Sequence, residues 1–247
     1  MRDPESKNSL LHYKPTNLEK KRVVCISGII CKTILLICVS VGLTACSPAV
    51  YHVNLKYEPS GKFLNMGKSQ PDFLITVAMF NDIRKVDDRL VLGRVTTVGG
   101  EVIPIFPRYH KVTEAVTTSI RDYLSKSGYK ISNYKPGWDL KEEAISKDWG
   151  RILIGGNIDD LDIVCENSFP VKTYQAKIKL TFIFANVPDK RISYRSSMET
   201  SNSLKDISFS EELLETQINA VLSDALEGMF NDPKMKKTIE EAAKIKK

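Results

Sequence analysis

Cysteine and histidine are scarce in this chain of 247 residues, and the few present are unevenly placed. Of five cysteines, Cys25, Cys31, Cys38 and Cys46 fall early, and only Cys165 follows. That excludes a disulfide framework, or a site built on several thiolates, from the rest of the chain. Only His52 and His110 lie beyond Cys46, and no serine sits in a G-x-S-x-G elbow. Nucleophilic catalysis therefore has little to draw on, and the two histidines are expected at the surface. Glycine is missing from the spacings that nucleotides require. Val98-Gly99-Gly100 and Gly155-Gly156 approach neither G-x-G-x-x-G nor a Walker loop, and are expected to serve a hairpin turn and a strand bulge. A sustained excess of one charge is also absent. The net charge is +6, but residues 1–45 carry seven Lys/Arg against three Asp/Glu, leaving 29 against 27 in the remainder. So balanced a remainder offers no clustered basic face, and nucleic acid is not an expected partner. Apolar residues are plentiful. At 42% hydrophobic the chain can bury a full core, which excludes disorder as a global description.

The first 46 residues are the most specific part. Lys20-Lys21-Arg22 precedes two apolar runs, Val23–Cys31 and Thr33–Gly42, separated by Lys32. A charged start, an apolar stretch of about ten residues and small residues at the end make a secretory signal. The closing Leu43-Thr44-Ala45-Cys46 resembles the lipobox of bacterial lipoproteins. That resemblance implies that Leu43, Thr44 and Ala45 are read by a signal peptidase. It implies too that the Cys46 thiol receives a diacylglycerol and that the new amino terminus is acylated. No other cofactor, and no metal, is expected. The alternative is an uncleaved transmembrane helix over Val23–Ala45, long enough to span a bilayer. Lys32 would then sit mid-bilayer, at a cost of roughly 2.5–3.5 kcal/mol. Three acyl chains exceed the two signals that stable anchoring needs. Ser47 stands where enterobacterial lipoproteins kept at the inner membrane carry Asp, so the sorting pattern implies the outer membrane, with the folded part facing the periplasm.

After the signal peptide (1–45), residues 46–71 read as the lipidated cysteine and a tether, and residues 72–247 as one domain. Within the tether, Tyr51, Val53, Leu55 and Tyr57 alternate with polar neighbours, the period of a short strand. Strands are predicted over Phe73–Phe80, over the Leu90–Thr97 and Glu101–Phe106 hairpin, over Tyr129–Ser132 and over Arg151–Cys165, the last with a break at Gly155-Gly156. Thr173–Ala185 carries the clearest alternation, with Tyr174, Ala176, Ile178, Leu180, Phe182 and Phe184 on one face and Gln175, Lys177, Lys179 and Thr181 on the other. Such a strand belongs to an antiparallel sheet with one wet face. Arg191–Thr200 returns beside it. Helical periodicity appears over His110–Ser127 and again over Phe209–Asn231, where Ser208-x-x-Glu211 reads as a capping box. A short helix is expected around Leu140–Asp148. Asp232 and Pro233 then start a third, basic helix as N-cap and N1. The expected fold is α+β, an antiparallel sheet with two main helices on one face.

The remaining candidates for chemistry are weak. Cys165 has no resolving partner and is expected to be buried and inert. Asp159, Asp160, Asp162 and Glu166 suggest calcium, but the segment lacks the glycine turn such a loop needs, so Asp160 and Asp162 are expected on a wet strand face. Lys234, Lys236, Lys237, Lys244, Lys246 and Lys247 either meet anionic headgroups or simply solvate the tail.

The run Ile218–Asp232, with its Asn-x-Val-Leu-x-Asp core and later Met-x-x-Asp, resembles the closing helix of YajG-like bacterial outer-membrane lipoproteins. The order of lipobox, apolar strand, a helix ending at Gly128-Tyr129, a meander and a last helix is similar as well. The resemblance implies an α+β periplasmic domain with no assigned catalysis. The expected function is a non-enzymatic envelope lipoprotein, held to the membrane by its lipid, that binds a protein partner or supports envelope structure. The competing expectation is an auxiliary lipoprotein of a lipid or small-molecule transport system. An apolar cavity lined by Phe182, Phe184 and Met198 would favour transport, and a filled core the binding module.

Overall fold

The strong alternation of Thr173–Ala185 becomes the middle of three long strands. A computed structural model describes residues 49–60 and 73–244, and the signal segment with Leu43–Cys46 lies outside them. The elements, in chain order, are β1 (Tyr51–Val53), β2 (Leu74–Val77), β3 (Asn81–Asp82), β4 (Gly93–Thr96), β5 (Val102–Pro107), α1 (Val112–Lys126), β6 (Lys130–Ile131), β7 (Ile152–Asn167), β8 (Lys172–Asn186), β9 (Arg191–Asp206), α2 (Glu211–Asn231) and α3 (Pro233–Lys244). The short helix expected near Leu140 is a single 3-10 turn, Glu142–Ala144.

β7 organises the sheet. Along one edge it pairs antiparallel with β8 over its whole length, from Ile152↔Asn186 to Asn167↔Lys172. β8 in turn pairs with β9. Along the other edge lie three short parallel strands placed end to end: β2 at Ile75↔Ile152, β3 at Asn81↔Asn157 and β4 at Gly93↔Ile163. β6 adds to β2 in parallel, β5 to β4 as the expected hairpin, and β1 to β5 in parallel. The sheet is therefore mixed, not antiparallel. Alternation shows which face of a strand is buried, whereas parallel neighbours come from remote segments joined by crossovers and leave no mark on it.

All three helices contribute to one core. The even-numbered face of β8 is buried there, with Tyr174, Ile178, Leu180 and Phe182 fully inaccessible. Ile218, Leu222, Ala225 and Met229 of α2, Val116 and Ile120 of α1, and Met235 and Ile239 of α3 meet that face. The opposite face is not simply wet. Trp138 and Ile145, from the excursion between β6 and β7, cover Leu153, Ile183, Ala185 and Ala78 in a second, smaller core. The two main helices thus pack on one face as expected, α3 joins them there, and the second layer covers part of the other face.

Two local expectations change and a third holds. β7 runs unbroken through Gly155 and Gly156. A Cβ at Gly155 would meet the Trp138 ring at 2.7 Å, and one at Gly156 the Thr181 carbonyl oxygen at 1.9 Å. These glycines allow close approach, and the register shift lies at Asp159, between Ile158 and Asp160. α2 is capped by Ser210, whose hydroxyl accepts from the Leu213 amide at 3.1 Å. Ser208 bonds instead to Asp206, because the buried Tyr174 hydroxyl accepts from Ser210 N and donates to Ser208 O, fixing where the helix begins. Asp232 does cap α3, accepting from the amides of Lys234 (2.7 Å) and Met235 (3.1 Å). Those bonds hold its carboxyl below the usual carboxylate range.

Candidate functional site

The segment over residues 51–60, read from sequence as a tether, is built into the domain rather than hung from it. Val53, Leu55 and Tyr57 alternate as the sequence predicts, and all three are buried in the main core. Past β1 the strand has no sheet neighbour for its outward amides. The side chains of α2 take that role. The amides of His52, Asn54, Lys56, Glu58 and Ser60 donate in turn to Glu211, Glu215, Asn219, Ser223 and Glu227, at 3.4, 2.8, 3.0, 3.0 and 2.9 Å. Asn219 also donates back to the Asn54 carbonyl at 3.1 Å.

The regularity has a simple cause. Four residues of α-helix rise about 6.0 Å, and two residues of extended chain span about 6.6 Å. Side chains four apart on α2 therefore keep step with amides two apart on a strand running in the same direction. The result is a ladder in which a helix stands in for a neighbouring strand. On the helix side its inner rungs are buried, at Asn219, Ser223 and Glu227, while the strand amides they bind are part-buried. Glu227 closes the ladder, accepting from the Tyr57 hydroxyl at 3.1 Å and from both the amide and the hydroxyl of Ser60. Burial, reinforced by that carboxylate, pushes the Tyr57 phenol well above its ordinary pKa. At the outer end, Arg108 bonds the His52 carbonyl at 2.8 Å and pairs with Glu211 at 3.3 Å. The residues read as a tether are thus part of the domain as far as Ser60. The i, i+4 row of polar residues on α2 was the signal that could have revealed this.

The residues singled out for chemistry are dispersed. Leu43, Thr44, Ala45 and Cys46 lie outside the described residues. His52 is an exposed β1 residue near the Phe106 ring, and His110 pairs with Glu114 ahead of α1 at 3.3 Å. Cys165 is fully buried, and burial pushes its thiol up to about 11. The acidic residues of β7 are divided among separate partners. Asp160 pairs with Lys177 at 2.7 Å, and Asp159, the extra residue at the register shift, accepts from Thr181 at 2.7 Å. Burial raises the pKa of Asp162. Among the described residues no group of three or more His, Cys, Asp or Glu is arranged to hold a metal ion. The buried guanidinium of Arg84 is fully occupied. It grips Asp82 with two nitrogens, at 3.0 and 2.9 Å, and the carbonyls of Arg89, Val91 and Leu161 with its remaining donors. That constellation pins the loop between β3 and β4.

The place proposed for an apolar cavity is filled. Phe182 meets Phe80 and Phe230 edge to face at centroid distances of 5.5 and 6.0 Å and stacks on Phe184 at 6.4 Å. Phe184 adds Phe230 and Tyr194, both at 6.0 Å. Met198 lies against Gly228 of α2, its Cε 3.2 Å from where a Cβ would stand. No helix among the described residues is long and apolar enough to cross a membrane.

No protein-family model matches this sequence, and no curated protein sequence matches it. Solved structures do resemble it. A protein from Xanthomonas campestris described by the family model DUF330 aligns over 78% of this chain and 98% of its own, at 12% identity and a TM-score of 0.47. Lipoprotein GNA1162 from Neisseria meningitidis aligns over 61% of this chain and 96% of its own, at 10% identity and a TM-score of 0.35. The hypothetical protein CT253 from Chlamydia trachomatis aligns over 70% and 98%, at 9% identity and a TM-score of 0.40.

Proposed function

We propose that this protein is an outer-membrane lipoprotein of the YajG-like kind, anchored through lipid on Cys46. Its periplasmic domain binds a protein partner or supports envelope structure without catalysis. The observation that carries the binding or structural reading over transport is the closed aromatic core around Phe182 and Phe184. A carrier of lipids or small apolar molecules needs room where these rings stack, so the packing weighs against the transport alternative. The separate surface settings of His52 and His110 support the reading without catalysis. The anchoring half rests on Leu43–Cys46 and fits the way the chain enters the fold, strapped to α2 from His52 onward.

Cys46→Ala tests the anchor. The wild type should incorporate labelled fatty acid and mature to a shorter form, and the variant should do neither. A wild type that stays at full length and unlabelled overturns the lipoprotein assignment in favour of the transmembrane alternative. Crosslinking in intact envelopes then addresses the partner, and His110→Ala should leave recovered complexes unchanged.

A further inference from the structure

The sheet has two ends, and the chain enters at one of them. β7 finishes at Asn167 opposite Lys172 of β8, which lies opposite Asp206, the last residue of β9. Parallel β4 ends beside the same point, at Thr96↔Glu166, and Val102 of β5 pairs with Thr96. β1 runs parallel to β5 from Tyr51↔Ile105, so Val50 points back toward that end, and α2 starts alongside at His52–Glu211. Four separate segments therefore meet there: the start of β1, the β4–β5 hairpin tip, the β7–β8 turn and the β9–α2 connection.

Each of the four exposes large apolar side chains. Phe169 is 85% exposed, Ile207 80% and Val98 70%, and Val50, Val102 and Val171 accompany them. Among the described residues, the other exposed large apolar side chains are spread over β2, the loop after β3, the approach to α1 and the segment after β6. A cluster drawn from four elements is more than the scattered exposure any soluble surface shows. Nearby charges are of mixed sign, Lys172 and Lys205 with Glu101, Glu166 and Asp206. Attraction to anionic lipid is thus not what distinguishes this end.

Its position in the sequence says what covers it. Val50 follows Cys46 by four residues, which extend at most about 14 Å. A lipid on Cys46 would hold Val50, and the end of the sheet beside it, within about 14 Å of the anchor.

We propose that this apolar end is a membrane-contact surface, with Phe169, Ile207 and Val98 seated in the lipid interface. The proposal rests on the lipid anchor at Cys46. Apolar and aromatic side chains at the headgroup boundary are the usual means by which an anchored domain fixes its orientation. The basic helix α3 plays no part in this contact. It follows the far end of α2, and Arg151 beside the start of β7 bonds its Ala242 carbonyl.

The test uses full-length protein purified from membranes and reconstituted into phosphatidylethanolamine–phosphatidylglycerol vesicles with brominated acyl chains, its fatty-acid content measured in the same preparation. Phe169→Trp and Ile207→Trp place a fluorophore in the proposed contact at two independent positions. Tyr134→Trp places one beyond β6, near the opposite end. The two native tryptophans, Trp138 against Gly155 about 40 Å along β7 from Asn167 and Trp149 packed on the same second core, provide an unquenched background. Bromine should quench the added emission of Phe169→Trp and Ile207→Trp but not that of Tyr134→Trp, and raised salt should leave the quenching intact. Acylated protein whose Phe169→Trp and Ile207→Trp emission is no more quenched than that of Tyr134→Trp overturns the proposal. So does shielding of both positions by a second copy, seen as a crosslinked dimer without bromine quenching. Protein that carries no fatty acid yet is quenched refutes the anchor and leaves the contact standing. Protein that is neither acylated nor quenched refutes both.

Discussion

Replacing Asn219 with alanine removes the central rung of the ladder between α2 and the entering strand. The side chain is fully buried, accepts from the Lys56 amide at 3.0 Å and donates to the Asn54 carbonyl at 3.1 Å. Alanine keeps the helix and deletes both bonds. A buried backbone group left without a partner costs about 1–3 kcal/mol. These two backbone groups are only part-buried, so the lower half of that range applies to each, and Asn219→Ala should cost about 2–4 kcal/mol in total. For a domain of this size that lowers the melting temperature by roughly 4–16 °C. Glu215→Ala is the comparator. Its carboxylate also takes one strand amide, that of Asn54 at 2.8 Å, but its side chain is 22% exposed and water can replace it. Its loss should cost no more than about 0.5–1.5 kcal/mol. Thermal and urea melts measure both, and amide exchange at Asn54, Lys56 and Glu58 shows whether the strand loosens before the rest unfolds. Asn219→Ala and Ser223→Ala together should fall short of the sum of their separate costs, because one detached strand forfeits both rungs. An Asn219→Ala variant within about 0.5 kcal/mol of wild type, with Lys56 exchange unchanged, would refute the ladder as a stabilising element.

Two further outcomes follow from the core. Leu222→Ala, at a fully buried position of α2, should cost about 2–5 kcal/mol by cavity formation. Lys237→Ala, whose partner Glu241 is itself exposed at 3.7 Å, should fall within about 0.5 kcal/mol of wild type; unchanged melting for Leu222→Ala would mean that the stripe is a docking surface instead. The Cys165 thiol, pushed from 9.0 to about 11 by burial, favours the neutral form in the folded state, so its stabilising effect is complete below pH 9.0 and is lost as pH rises through about 11. Alkylation of Cys165 at mildly alkaline pH should therefore require unfolding, and modification at the rate of a free thiol would show that it is accessible.

Much of the fold was legible because burial leaves a period in the sequence. The even-numbered residues of Thr173–Ala185 pointed to the face that the helices cover, and the stripe Leu214–Met229 to the face of α2 that meets it. What period cannot encode is the identity of a neighbour. The short strands β2, β3 and β4 share one edge of β7 through parallel pairing between remote segments, and nothing local distinguishes that from a meander. Irregularities were readable only in part. In β7 the buried face passes from Ile152, Ile154 and Ile158 to Leu161, Ile163 and Cys165. That slip in phase places the extra residue at Asp159, while the glycine pair drew the expectation three residues too early. The second core was hidden for another reason: Ile183 and Ala185 continue the odd-numbered face that Gln175, Lys177, Lys179 and Thr181 mark as wet, and only the fold brings Trp138 and Ile145 over them.

The candidate site was harder still, because its signal has an ordinary meaning. Glu211, Glu215, Asn219, Ser223 and Glu227 recur every fourth residue, and a polar row beside an apolar stripe is what the wet face of any amphipathic helix shows. The row acquires another meaning only when an extended segment lies along it, since four helical residues and two extended ones advance by nearly the same distance. Composition offers one discriminating hint. Asn and Ser are poor choices for an exposed helix interior, because their side chains compete for backbone bonds. At positions 219 and 223 that tendency is satisfied by the backbone of the other segment, at Lys56 and Glu58. The same coincidence fixes where the domain begins. Removing residues before Ser60 would take Val53, Leu55 and Tyr57 out of the core and leave Asn219, Ser223 and Glu227 buried without the partners that justify them. The extended segment over residues 51–60 is therefore structure that α2 requires.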